Sequence, residues 1–498
     1  PSPRIRLQRR GDSGRLLLVG RDRRAPDARG LSRAAAGPVL VLGGAGVFGA
    51  ALVRGLAADG FRVVVAGRSV APLRALAAEV GAEALVLDRT SPDLADRLRA
   101  AGPAIVVDAA GPFQAYEGHA VADAALAAGA HYLDLSDDGP FAAGIVALDG
   151  MARDRGLVAI SGASSVPGLS SAVVAELASE MDEILLIDTA ILPGNRAPRG
   201  RSVIASIVSQ LGTMSRVWRG ARWVDKLCWT DRRRIRLAPD LTRAGRYIEV
   251  PDIRLFPAHF QARSVMFRAG MELTALDLGM LALTHLRRVW PFRVTPRRAG
   301  AIQWLASLLE PFGTDRGGMR VKVIGFRNGK PLERNWRLVA EAGQGPYIPG
   351  IAARAILRRD RLDPGARPCL AETPLSEIED ALSDLAVSIT RDELEPEALF
   401  RTVLGDRWRL LSPEIQRLHL VFDADTFTGT ASVSRGDRPI PRLAAAVFRF
   451  PRAAQSVPVT VTKTRHPTQE IWQRTFGTHT FRSHLSAAGP SHVFERFG

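Results

Sequence analysis

Residues 39–69 read VLVLGGAGVFGAALVRGLAADGFRVVVAGRS. An apolar run, a glycine cluster, a stretch with helical spacing and a second apolar run follow one another within about thirty residues, the length of one strand–helix–strand unit. Gly44, Gly46 and Gly49 fit the spacing G-x-G-x-x-G, with Gly43 just ahead. Alone that spacing is weak. Between a strand and a helix it marks a dinucleotide-binding turn. Gly44 is expected to permit the tight turn, Gly46 to let the main chain approach a diphosphate, and Gly49 to let helix and strand pack closely. The helix start adds unpaired N–H donors and a positive dipole end. The bland alternative is a glycine-rich turn without a ligand.

The next residues bear on which dinucleotide. A carboxylate about twenty residues on would accept from a ribose 2′-hydroxyl. No acidic residue stands between Phe61 and Ala78; Arg68 and Ser69 follow the second apolar run instead. A guanidinium there suits a 2′-phosphate, and the hydroxyl adds a donor. The expected cofactor is therefore NADP(H), against the alternative of a solvated loop arginine. Asp88 ends the third apolar run and is read either as an adenosine contact or as a cap for the following turn. Asp108-Ala109-Ala110-Gly111-Pro112 ends the fourth, and its small residues Ala110 and Gly111 would let the nicotinamide half approach the backbone.

Outward from this unit, apolar runs and helical stretches alternate up to about residue 180. Near-continuous apolarity in the runs argues a parallel sheet covered on both faces. Strand–helix alternation indicates a doubly wound α/β domain over 38–180. Residues 1–37, with ten arginines and three aspartates, read as a flexible basic arm. A mixed α+β substrate and dimerisation domain is expected over 181–360. There Asn328-Gly329 between two strand-like runs predicts a tight hairpin. Residues 361–395 read as a linker with a helix at SEIEDALSDLAVSI, and 396–498 as a β-rich module.

The net charge of +16 invites a nucleic-acid reading. Only four of the 67 basic residues are lysine, and the arginine-, alanine- and glycine-rich composition resembles the codon bias of a GC-rich genome. With no nucleic-acid-binding module alongside, no nucleic-acid partner is expected. Cys228 and Cys369 are too few for a disulfide framework and suit a reducing compartment. No uninterrupted apolar segment reaches transmembrane length, so a cytoplasmic location is expected. Pro1 stands where a methionine would, so a natural start is expected upstream.

Several stretches together resemble the saccharopine-dehydrogenase-like oxidoreductases: GGAGVFG, VVVAGRS, VVDAAGPFQAYEGHAVADAALAAGAHYLDLSDD, ISGASSVPG and GTDRGGMRVKVIG. The long middle block is the most specific. The resemblance covers residues 39 to about 360. It implies a Rossmann domain binding NADP(H), with a substrate and dimerisation domain inserted before a closing segment. It implies cofactor contacts at Gly44, Gly46, Val47, Phe48, Gly49, Arg68, Ser69, Asp88, Ala110 and Gly111. One departure stands out: relatives often carry Gly-Glu after the Tyr-x-Asp stretch, where this chain has Ser136-Asp137-Asp138. From about 397 the chain resembles a bacterial domain of unknown function, through LSPEIQRLHLVFDADTFTGTASVSRG and EIWQRTFGTHTFRSHL, and is expected to end partway through it.

Familiar catalytic patterns are absent. No lysine stands four residues after Tyr116, Tyr132, Tyr247 or Tyr347, and neither HExxH nor GxSxG occurs. No metal site is expected. Tyr132 and Asp134 share a face of the fifth strand and are the candidates for proton transfer; Asp137 and Asp138 read as caps of the next helix. Residues 271–312, MELTALDLGMLALTHLRRVWPFRVTPRRAGAIQWLASLLEPF, join two amphipathic helices through a basic segment. One reading is core and homodimer packing. The other is peripheral contact with an anionic inner-membrane surface, with Trp290, Phe292 and Trp304 at headgroup level. The functional expectation is an NADP(H)-dependent oxidoreductase of a small molecule; the rivals are a non-catalytic NADP(H)-binding sensor and a membrane-associated, lipid-related reductase.

Overall fold

The computed structural model describes residues 37–497 apart from 199, 291–299, 301–303, 305–306, 435–450 and 490–491. Nearly all of the basic arm read over 1–37, and Phe292, lie outside the described residues.

Runs such as β1 (Val39–Leu42) and β4 (Ile105–Asp108) are buried along their whole length, because their sheet is covered on both faces. Together with β2 (Val63–Gly67), β3 (Glu83–Val86), β5 (His131–Asp134) and β6 (Val158–Ser161) they run parallel in the order β6-β5-β4-β1-β2-β3. The connecting helices include α1 (Val47–Ala58), α2 (Val70–Val80), α3 (Leu94–Ala101) and α4 (Ala120–Ala127). The buried face of α1 carries Gly49, Ala51, Leu52, Val53, Gly55 and Leu56; its small members let the helix lie close to the sheet. Strand order reverses between β1 and β4, and such a switch opens a crevice at the carboxyl ends of the strands.

A second, nine-stranded sheet follows. Its centre is the strand Glu183–Leu192, antiparallel to Gly317–Arg327 and parallel to Val265–Met271. The expected hairpin is present. Arg327 pairs with Lys330, and Asn328 and Gly329 take the left-handed φ values of 51° and 74° that a two-residue turn of this hand needs.

The chain then returns to the first sheet. Ala353, Ile356 and Leu357 join the core that holds Leu52, Val53 and Leu56, and Gly365–Pro368 adds a seventh parallel strand beside β6. Residues 361–395, expected to be a linker with one helix, therefore belong to both sheets. The helix is shorter than the quoted stretch, spanning Leu375–Ala381, and Val387–Leu394 is a strand paired antiparallel with Lys330–Ala340. The reason is packing. Val387 and Ile389 lie two apart and meet the same apolar core, which rewards strand geometry for β-branched residues.

The C-terminal strands, from Ala424–Val433 to Val493–Phe497, form a five-stranded antiparallel sheet. EIWQRTFGTHTF is divided between two of them, with Gly477 at φ 59° in the turn.

Candidate dinucleotide site and adjoining cavity

The turn after β1 is built so that most of its glycines are obligatory. Gly43 has φ 77°, and a Cβ there would stand 2.8 Å from the Ala110 nitrogen. A Cβ on Gly44 would stand 2.8 Å from both the Val41 oxygen and a Val65 methyl, and one on Gly49 would run into the Gly43 carbonyl. The left-handed turn thus sits at Gly43, one residue before the position the spacing suggested. Gly46 differs. It is exposed, and a Cβ there would meet only the Gly43 oxygen, at 3.1 Å. It is also the N-cap of α1 and offers no side chain to the helix start. The first-turn amides at Val47, Phe48 and Gly49 have no intrahelical acceptor. An open, uncapped helix start over bare main chain fits a diphosphate.

Arg68 and Ser69 are exposed at the end of β2, and Ser69 is the N-cap of α2 without a side-chain cap bond. Asp88 follows β3. Its carboxylate accepts from the Thr90 amide at 2.9 Å and the Thr90 hydroxyl at 2.8 Å. Those two bonds hold its carboxyl below the usual range against a little burial, and Arg68 and Arg89 add to the effect. The structure thus brings Arg68 and Asp88 together, and Asp88 makes the turn cap that was its alternative reading.

Arg89 was missed by the sequence reading. Its guanidinium donates to the Ala110 carbonyl at 2.8 Å, approaches the Asp108 carboxylate at 3.3 Å and lies 3.3 Å from the centre of the Tyr116 ring. Tyr116 donates to the same carbonyl at 2.9 Å, and Asp108 accepts from the Ala110 amide at 2.9 Å. Ala110 and Gly111 are therefore held from several sides. These contacts join residues as far apart in the chain as Arg89 and Tyr116, and local pattern carries no trace of them.

Tyr132 and Asp134, the proton-transfer candidates, are both fully buried, at 0% exposure. Tyr132 packs among Val106, Leu126 and Ala159. Asp134 accepts from the Ser136 amide at 2.9 Å and the Gly162 amide at 2.8 Å, which ties together the turns after β5 and β6. Burial pushes its carboxyl up to about 6. The shared face that suggested catalysis is turned into the core, and neither group opens on the crevice.

The two following aspartates part company. Asp138 caps the next helix, accepting from the Phe141 amide at 2.9 Å. Asp137, also read as a cap, instead accepts from the Gln114 side-chain amide at 3.0 Å and contacts the Ser206 hydroxyl at 3.4 Å. It remains partly exposed, where the turns after β4 and β5 meet the helix Arg201–Gln210. Burial raises its carboxyl, with the Gln114 bond opposing.

A cavity of about 740 Å³ adjoins this region. One end touches Phe48 of the glycine turn and Ser165, just beyond β6. Its walls come from the second sheet and from the helices Arg201–Gln210 and Thr274–Val289. Among the described lining residues, only Ser165 and Asp315 carry polar side chains.

Among the described residues no group of histidine, cysteine and carboxylate side chains could hold a metal ion. Cys228 and Cys369 are free and buried. No described helix is long and apolar enough to cross a membrane.

Residues 39–160 match the family described as saccharopine dehydrogenase NADP binding domain. The chain carries a saccharopine-dehydrogenase-type NADP-binding domain. Residues 411–498 match a second family, a domain of unknown function designated DUF4166. Both resemblances seen in the sequence are thus found again. No curated protein matches the chain. Apo saccharopine dehydrogenase (L-Glu forming) from Saccharomyces cerevisiae aligns over 72% of this chain and 100% of its own, at 14% identity and a TM-score of 0.52. That likeness is one of fold. The 3-hydroxyacyl-CoA dehydrogenase type-2 from Mycobacterium avium aligns at 22% identity over 29% of this chain and 82% of its own, with a TM-score of 0.21, too low to carry an argument.

Proposed function

We propose that this chain is an NADP(H)-dependent oxidoreductase of a small-molecule substrate. The observation that carries the reading is the open, uncapped start of α1 at Gly46, beside the β1/β4 switch and in reach of the cavity. In this reading the amides of Val47, Phe48 and Gly49 hold the diphosphate, with Gly44 and Gly46 giving access. Arg68 and Ser69 hold the 2′-phosphate, with Asp88 near the adenosine, and the backbone at Ala110 and Gly111 faces the nicotinamide half. The family name of residues 39–160 supports the nicotinamide cofactor and its phosphorylated form; the yeast enzyme of similar fold is by name a dehydrogenase.

When bound, the cofactor supplies a hydride donor or acceptor. The chain must then orient the substrate, exclude water and handle one proton. Asp137 is the group we assign to the proton, because it is partly exposed beside the crevice and Gln114 holds its carboxylate in place. The apolar cavity beyond Phe48 and Ser165 offers water few polar partners.

Titration calorimetry with NADPH and NADH tests the cofactor, and NADPH oxidation against ketones, imines and aldehydes tests turnover. Micromolar NADPH binding with weaker NADH binding is expected. No binding of either nucleotide at millimolar concentration would sink the proposal. A second reading, a dinucleotide sensor without turnover, is favoured by the complete burial of Tyr132 and Asp134; tight binding with no turnover across the panel would select it.

A further inference from the structure

The cavity is more apolar than a polar metabolite needs. Ligand pockets commonly enclose about 300–1,000 Å³ and place a few polar groups to fix orientation. Here about 740 Å³ is lined almost throughout by aliphatic side chains and glycine. Among the described lining residues the two polar side chains are Ser165, just beyond β6, and Asp315, in the segment that follows the short helical turn Glu310–Phe312. An amino-acid substrate would leave its charges unpaired against such walls.

The helix Thr274–Val289 sharpens the point. Ala275, Leu276, Gly279, Met280 and Leu283 line the cavity. The same helix exposes Leu278, Leu286 and its last residue Val289, and Trp290 follows, the last two with exposures of 86% and 74%. One apolar face of the helix lines the cavity, while its exposed side mixes Leu278, Leu286 and Val289 with His285 and Arg288. Leu308 lines the cavity and is also 53% exposed, so the cavity reaches the outside there. Trp304 and Phe312 are exposed nearby in sequence, and Arg287 and Arg288 stand in the last turn of the helix.

We infer that the cavity is the binding site for the hydrocarbon chain of a long-chain lipid substrate, whose reactive head lies at the Phe48–Ser165 end. This rests on the dinucleotide reading for the position of the head, and on the cavity alone for the chain. The substrate enters at the end where Leu308 is exposed, and the exposed Leu286, Val289 and Trp290 beside Arg288 suit its delivery from a lipid surface. Each methylene moved from water into such walls strengthens binding roughly fourfold, so affinity rises steeply with chain length.

Two glycines give a clean test. Gly279 and Gly345 both line the cavity, and a Cβ at either meets nothing within 4 Å. Each position has room for a Cβ at the cavity wall, so Gly279→Phe and Gly345→Phe are the substitutions chosen to narrow the cavity. The probe is a neutral pyrene-labelled long-chain alcohol, titrated into the full chain and displaced by butanol, octanol and hexadecanol. Displacement should strengthen steeply along that series, and each variant should weaken the probe at least tenfold while keeping the wild-type melting temperature and NADPH affinity. A flat series, or variants that bind the probe as the wild type does, would overturn the inference and mean that protein fills the space. Chain-length dependence without NADPH binding would leave the cavity site standing and remove the dinucleotide reading instead.

Discussion

Gly43 and Ala110 lie back to back: a side-chain carbon on Gly43 would stand 2.8 Å from the Ala110 nitrogen. The turn that would receive a diphosphate and the loop that would face the nicotinamide half are thus one packed unit. Glycines in that unit should separate into two kinds. Gly43→Ala forces an L side chain into φ 77° and against backbone, and should destabilise the protein by about 1–3 kcal/mol. Gly46→Ala meets only one atom, at 3.1 Å, and keeps an ordinary extended φ of −76°. Its melting temperature should stay within a few degrees of wild type while NADPH affinity falls tenfold or more. Calorimetry and thermal melts on the two variants check this; equal NADPH affinity in Gly46→Ala and wild type would show that no diphosphate lies there.

Arg68 governs nucleotide choice if its guanidinium meets a 2′-phosphate. A hydrogen bond to a charged group contributes about 1.5–3 kcal/mol, so Arg68→Ala should weaken NADPH tenfold to a hundredfold and leave NADH unchanged. Parallel titrations with the two nucleotides measure this. Equal losses for both would mean that Arg68 acts on the fold or on a shared part of the cofactor.

The parts of the site legible in the sequence are those built from neighbours. The glycine turn, the Arg68-Ser69 pair and the Asn328-Gly329 hairpin are each set by residues within a few positions, where backbone geometry and side-chain type suffice. Even there the reading was one residue out: the left-handed turn falls at Gly43, because β1 ends at Leu42. Alternation in β5 correctly paired Tyr132 with Asp134 but carried no information on which face meets water. Asp137 and Asp138 look alike as helix-start acids; what separates them is Gln114 and Ser206, which lie 23 and 69 residues away in the chain. The cavity was illegible for the same reason, since its walls gather short pieces from Phe48 to Pro349. The strand Gly365–Pro368 reads GARP, with a glycine, a proline and no β-branched residue to mark it as a strand, and exists because β6 offers it an edge.

Asp137 should matter for turnover and not for cofactor affinity. Asparagine keeps the acceptor that faces Gln114 but cannot exchange a proton at the pH of the assay. General acid–base groups contribute about 10²–10⁴-fold, so Asp137→Asn should slow NADPH-dependent reduction of a long-chain aldehyde by that order, with NADPH affinity within twofold of wild type. Unchanged turnover would pass the proton to another group or to water.

Arg354 fastens the returning chain to the first domain. Its guanidinium donates two bonds to Asp59, at 2.8 and 2.9 Å, and two to Asp384, at 2.9 and 2.7 Å, across 295 and 30 residues. Its stem crosses α1 over Gly55, where a Cβ would lie 3.2 Å from it. Burial works against the Asp59 carboxyl, yet Arg354 and Arg358 hold it below the usual range. Arg354→Ala leaves the largely buried Asp59 carboxylate to Arg358, removes the link to Asp384, and should cost about 1.5–3 kcal/mol. Arg358, more exposed at 28%, should cost about 1 kcal/mol when truncated. Urea midpoints of the two variants give the comparison, and similar losses for both would show that Asp59 is satisfied by either partner alone.

Asp252 stands in the first turn of the helix Pro251–His259 at 0% exposure, and among the described residues neither carboxyl oxygen has a hydrogen-bond partner of ordinary geometry, although the nearby Ser170 hydroxyl partly opposes the effect of burial. Burial pushes its carboxyl up to about 8, from an unfolded value near ~3.9. The folded state therefore binds the proton more tightly than the unfolded one. The stability linked to that proton is complete below about pH 4 and is lost as pH rises toward 8. Asp252→Asn removes the titration while keeping a neutral group of the same shape. The variant should gain on wild type as pH rises from 4 to 8, by an amount on the order of a few kcal/mol, and the gap should stay constant above that range. Melting temperatures of both proteins across that window test it; parallel curves would mean that the carboxyl ionises normally and that the site admits water.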